Sequence, residues 1–151
     1  MTFDEELLDE VRVLQTNMGG LRELSDLEAL AVVDEIARWF VDQKESVWWW
    51  QSLKCDSVRL KYGDADGLAL LSELVPAESK IRLVITDDEP RPWRVFEGEA
   101  RKFWALLRKL RFFEYFIATE DCRSVVFDTH HNALLAAGAL LEKARYLAGG
   151  L

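Results

Sequence analysis

The chain has 151 residues, half of them hydrophobic and 30% charged, which excludes a disordered segment and suits one domain with a core of its own. Its net charge of −8 comes entirely from residues 1–50, where twelve acids face four bases, while the rest carries fifteen of each. A phosphate-binding surface needs a concentrated positive field, so nucleic acid is excluded as the main partner and a basic protein is admitted; the plainer use of such charge is solubility.

Phe3, Leu7, Leu8, Val11 and Leu14 recur at helical spacing and predict a helix over 3–15, its acids gathered in the first turn. The opening MTFDEELLDE lacks the basic-then-apolar order of a secretory signal, and no apolar run approaches the ~20 residues of a membrane span, so a cytoplasmic protein is expected. Ser25-Asp26-Leu27-Glu28 reads as a capping box opening a helix to about Val41. Its inward stripe is expected to be Leu30, Val33, Ile36, Ala37 and Phe40, and Glu28, Glu35 and Asp42, seven apart, form an outer ridge. Trp48-Trp49-Trp50 follows. Three adjacent indoles cannot all face one core, so Trp39, Trp48 and Trp50 are expected to anchor it while Trp49 caps a groove edge, the functional reading being an aromatic contact patch.

Val58, Leu60 and Tyr62 alternate with Ser57, Arg59 and Lys61, a half-buried strand over 57–62. The turn after it, Gly63 to Gly67, resembles a calcium loop, but the first ligand position falls on Tyr62; Asp66 reads instead as the N-cap of a helix over 67–74. Strands are predicted at 80–86 and 93–97, around the acidic turn Asp87-Asp88-Glu89-Pro90, which reads as a solvated loop tip. Ala100, Phe103, Trp104, Leu107 and Leu110 predict a helix over 99–110 whose other side carries Arg101, Lys102, Arg108 and Lys109. Strands at 112–118 and 123–129 form a hairpin. The segment 133–147 fits either one helix or a strand over 133–137, a break at Gly138 and a shorter helix.

Asp128-Thr129-His130-His131-Asn132 is the densest group of chemically useful side chains. Extended backbone puts Asp128 and His130 on one face, with Ser124 beyond them, a nominal acid, base and nucleophile. Residues two apart on a strand are ~7 Å apart, and a straight strand does not supply the convergence such a relay needs, so a hydrogen-bonded turn is the better reading. Glu114, set among aromatic residues, requires a partner if buried, and Arg123 across the hairpin is the expected one. Cys55 and Cys122 read as reduced, mostly buried thiols, and two cysteines with two adjacent histidines make a poor zinc set.

Glu114-Tyr115-Phe116-Ile117, then Asp128-Thr129-His130-His131-Asn132, then Gly138, together with the tryptophan triplet and the run Thr86 to Trp93, resemble the C-terminal end of a group of small, uncharacterised bacterial proteins. The resemblance implies a strand after the histidine pair and brings no activity with it. Small acidic α+β proteins of this type include immunity proteins that neutralise secreted toxins.

The resulting expectation is a single α+β domain over 1–151, a mostly antiparallel sheet with the helices near 3–15, 26–41 and 99–110 packed mainly on one face. The leading functional expectation is a non-enzymatic protein-binding module of immunity type, meeting a basic toxin through Glu28, Glu35, Asp42, Trp48 and Trp49. The first alternative is a small hydrolase-like or metal-dependent enzyme centred on Glu114, Asp128, His130 and His131. The second is a homo-oligomer, a homodimer being the simplest. No cofactor, metal or membrane is expected.

Overall fold

The computed structural model describes residues 2–17, 19–42, 49–63, 67–86, 93–110, 113–129 and 132–149. Among them are five α-helices, α1 (Phe3–Asn17), α2 (Asp26–Phe40), α3 (Gly67–Leu74), α4 (Ala100–Lys109) and α5 (Leu141–Gly149), and seven strands. The strands are β1 (Arg22–Glu23), β2 (Ser57–Lys61), β3 (Lys80–Ile85), β4 (Arg94–Glu99), β5 (Tyr115–Thr119), β6 (Ser124–Asp128) and β7 (Ala133–Gly138). They form one sheet in the order β1-β4-β3-β5-β6-β7-β2, with every neighbouring pair antiparallel. The fold is α+β, as the alternation of strand and helix patterns predicts. No helix among the described residues is long and apolar enough to cross a membrane.

The sheet separates two cores. On one face Ile81, Leu83, Ile85, Ile117, Val126 and Leu134 meet α1, α3, α4 and α5. On the other, Val84, Val95, Phe116, Val125, Phe127 and Leu135 meet α2 and Trp49. The central strands are therefore apolar on both sides, which explains runs such as VVF that show no alternation. Four helices share a face, but α2 lies across the sheet from α1 and α4, so the acidic first third of the chain is divided between two surfaces.

Helix α2 starts where its sequence dictates. Ser25 Oγ accepts from the Glu28 amide at 3.2 Å and Glu28 Oε1 accepts from the Ser25 amide at 3.0 Å, a complete capping box. Its buried side is Ala29, Val32, Val33, Ile36, Ala37 and Phe40. Leu30, expected inside, is exposed, because the unbroken i, i+3, i+4 series begins at Ala29 and turns Leu30 outward. The helix ends at Phe40, and Val41 leaves in an extended conformation to bridge Leu53. Asp42 therefore lies beyond the helix and is not on the ridge with Glu28 and Glu35.

The Ala-rich segment after the histidines is strand β7, not helix. Ala133, Ala136 and Ala137 are buried to within 1%, and paired strands on both sides together with covered faces override the helical preference of alanine. Gly138 ends it at φ +89°, where a Cβ would strike the Arg123 carbonyl oxygen. Strand β1 was not expected. It pairs antiparallel with β4, and the chain entering it lies so close that a Cβ on Gly98 would come within 2.9 Å of the Gly20 carbonyl oxygen. Lys102, expected on the solvated side of α4, is buried instead, with its ammonium over Gly20.

Candidate functional site

The tryptophans exchange the places expected for them. Trp49 is 1% exposed, with its ring 5.0 Å from that of Trp93 and stacked 5.5 Å from Phe116. It is a core residue, because the short 3₁₀ turn Trp49–Gln51 directs it at the aromatic face of β5, and it offers a partner no surface. Trp50 is half-buried beside it; Trp48 lies outside the described residues. Trp39, expected in the core, is 56% exposed. It stands one residue before Phe40, which closes the buried series of α2, and so turns to the flank of the helix.

Trp39 is nevertheless held in place. Its indole N–H donates to Glu35 Oε1 at 2.9 Å. The Arg38 guanidinium donates to both oxygens of the same carboxylate at 2.9 and 2.8 Å and lies 5.7 Å from the Trp39 ring centre, within cation–π range. The Trp39 bond, then Arg38, hold the Glu35 carboxyl below its usual range, so the clamp is charged at neutral pH. Leu27, 82% exposed, and Leu30 project from the same helix. Glu28 joins them, held ionised by the Ser25 amide and by Arg22, whose guanidinium donates to it at 3.1 Å. One flank of α2 thus combines Trp39 with the fixed carboxylates of Glu35 and Glu28, while Leu30, nine residues from Trp39, lies on the opposite flank. Residues 22–42 hold six acids against two bases.

A family model described as a family of unknown function (DUF6756) matches residues 5–147. The chain belongs to that family. No curated protein and no solved structure matches it. Membership in DUF6756 covers both cores and the sheet between them, and the description assigns no activity to any residue.

The second cluster of expected residues lies at one end of the sheet, where β5 begins and β6 ends. Asp128 accepts the Tyr62 hydroxyl at 2.9 Å and the Tyr115 hydroxyl at 3.2 Å, drawing the ends of β2, β5 and β6 together. Burial, then the bond to Asp128, push the Tyr62 phenol above its usual value, so it is a donor and not a base. Glu114 lines a small pocket with Trp49, Trp50, Thr86, Tyr115, Phe116 and Phe127. The register Phe116↔Phe127 puts Glu114 at the open end of the hairpin and Arg123 at its turn, which rules out the expected pair. Asp128 alternates with Phe127 and so faces the side of the sheet where Tyr62 and Tyr115 reach it. Ser124 sits at the far end of β6, its hydroxyl accepting from the Leu140 amide at 3.1 Å, so it cannot join Asp128 in a relay. His130 and His131 lie outside the described residues, as do Asp66 and the 87–92 turn. Among the described residues no three His, Cys, Asp or Glu side chains gather as metal ligands.

Sequence reasoning missed Trp39 as an exposed residue and Leu30 as one outside the core. The signal was present: the series from Ala29 to Phe40 already fills one side of the helix and leaves Leu27, Leu30 and Trp39 outside it.

Proposed function

We propose that this DUF6756 protein acts by binding a basic protein through the outer face of α2, with Trp39 as the anchor, and has no catalytic chemistry of its own. The observation that carries the reading is the clamped Trp39. An exposed tryptophan fixed by Glu35 and Arg38 has little side-chain freedom to lose on binding, and tryptophan dominates interface energetics. The excess of carboxylates on residues 22–42 favours a positively charged partner and raises its rate of encounter at low salt. In its most concrete form the partner is a toxin that this protein neutralises as an immunity protein in the bacterial cytoplasm. Asp42, next to the end of α2, contributes to the same field.

The test is recovery of partner from lysate of the native host, with identification of the captured protein and co-expression to score protection. Trp39→Ala should cut recovery and weaken affinity by about 2 kcal/mol or more, while unfolding free energy stays within about 0.5 kcal/mol of the parent, since the side chain is largely outside the core. Recovery of the same basic protein by the parent, by Trp39→Ala and by Glu35→Lys alike would overturn the proposal.

A further inference from the structure

The edge of the sheet formed by β2 is a different surface with the opposite charge. Among the described residues, β7 is the strand paired with β2, in the register Ser57↔Ala137 to Lys61↔Ala133. The hydrogen-bond phase of that ladder follows from its ends. The Tyr62 amide donates to the Asn132 carbonyl at 2.8 Å, and the Thr129 amide donates to the Ala133 carbonyl at 3.1 Å. Antiparallel ladders alternate, so Tyr62, Leu60 and Val58 direct their backbone groups to β7, whereas Lys61, Arg59 and Ser57 direct theirs away from the sheet. Leu60 is buried in the core shared with α5, so the side chains of Ser57, Arg59 and Lys61 emerge on the other face, where all three are exposed. Residues 54–61 carry Lys54, Arg59 and Lys61 against Asp56, a positive strip in an acidic protein.

From this we infer that β2 is a docking edge for an extended acidic segment of a partner protein, added as an eighth strand. Outward amides and carbonyls at alternate residues supply the ladder that strand addition requires. Arg59 and Lys61, two apart on one face, select a segment with carboxylates two apart facing them. The same charges disfavour a second copy of this chain. In a two-fold antiparallel pairing of β2 with itself centred on Arg59, the two arginines would stand opposite each other, and like charges directly opposite are destabilising.

The probe is a short capped peptide alternating Glu and Val, with a control in which Lys replaces Glu. Amide hydrogen exchange is followed on the full chain. The Arg59 and Lys61 amides should exchange fast in the free protein and slow markedly with the Glu peptide, but not with the Lys peptide. Arg59→Glu with Lys61→Glu should weaken binding about tenfold or more, while Arg59→Lys retains it. Arg59→Pro removes an outward donor without touching the bonds to β7, and should abolish binding in a chain whose circular dichroism still shows it folded. Trp39→Ala should have no effect, which separates this edge from the α2 surface. The inference is overturned if the Glu peptide leaves those amides fast, or if the Lys peptide protects them equally. Protection that grows with protein concentration in the absence of peptide would also overturn it, by showing a second copy on the edge.

Discussion

Glu97 shows how a single side chain can be costly and still be retained. It is 8% exposed on the α2 face of the sheet, where an isolated carboxylate would be strongly disfavoured. Arg82 Nε donates to it at 3.1 Å, Lys80 Nζ lies 3.2 Å away, and Arg22, its cross-strand neighbour on β1, lies at 3.6 Å. Burial pushes its pKa up, but the bonds from Lys80 and Arg82 outweigh burial and hold it below 4.5. A carboxyl depressed in the folded state contributes stability that is complete above its unfolded value, near 4.5, and is lost as pH falls below it. Glu97→Gln should therefore cost about 2 kcal/mol at pH 7, and the gap between parent and variant should narrow from pH 5 to pH 3 in urea unfolding. A gap that stays constant across that range would show that the charge on Glu97 contributes nothing. Glu97 was not legible as a buried ion-paired residue. In the run Trp93-Arg94-Val95-Phe96-Glu97-Gly98 an acid between Phe96 and Gly98 reads as the polar side of a strand, and only the unexpected β1 brings the third cation to it.

Elements were legible wherever local chemistry sets them, although β5 begins at Tyr115, inside the predicted 112–118. The capping box fixes the start of α2, and the aromatic and β-branched runs mark β3, β5 and β6. What the chain alone did not show is set by neighbours. The sequence reading of β7 needed the resemblance to choose strand over helix, because alanine favours helix until paired strands and covered faces are in place. Gly138 marks the same boundary physically. It combines a left-handed backbone with contact against Arg123 and the Phe40 ring, so it ties the end of β7 both to the β5–β6 turn and to α2. Gly138→Ala should destabilise by about 3 kcal/mol or more, through backbone strain plus displacement of that turn. Ala139→Gly, one residue on and exposed, should cost under about 1 kcal/mol. Thermal unfolding of the pair checks the assignment, and equal losses would mean that the boundary tolerates a side chain.

For the molecule as a whole, the sheet makes two cores answer to one set of strands. Neighbouring residues on β3, β5, β6 and β7 alternate between the core under α1, α3, α4 and α5 and the core under α2 and Trp49. Neither core can lose its strands without exposing the other, even though the two helical layers are separated by the sheet. This arrangement also accounts for what composition could not reveal about charge: the acids of α1 (Phe3–Asn17) lie on one face and those of residues 23–42 belong to the α2 side, and the positive strip of β2 lies at an edge of the sheet. The consequence is cooperative unfolding. Ile36→Ala, in the α2 core, and Phe103→Ala, in the opposite core, are both fully buried positions, and should each cost about 3–5 kcal/mol. Both should lower one and the same calorimetric transition, with calorimetric and van't Hoff enthalpies equal. If Ile36→Ala instead produced an early transition in which the α2 layer melts while the α4 side persists, the sheet would not be coupling the two cores, and α2 would be a separately stable surface layer.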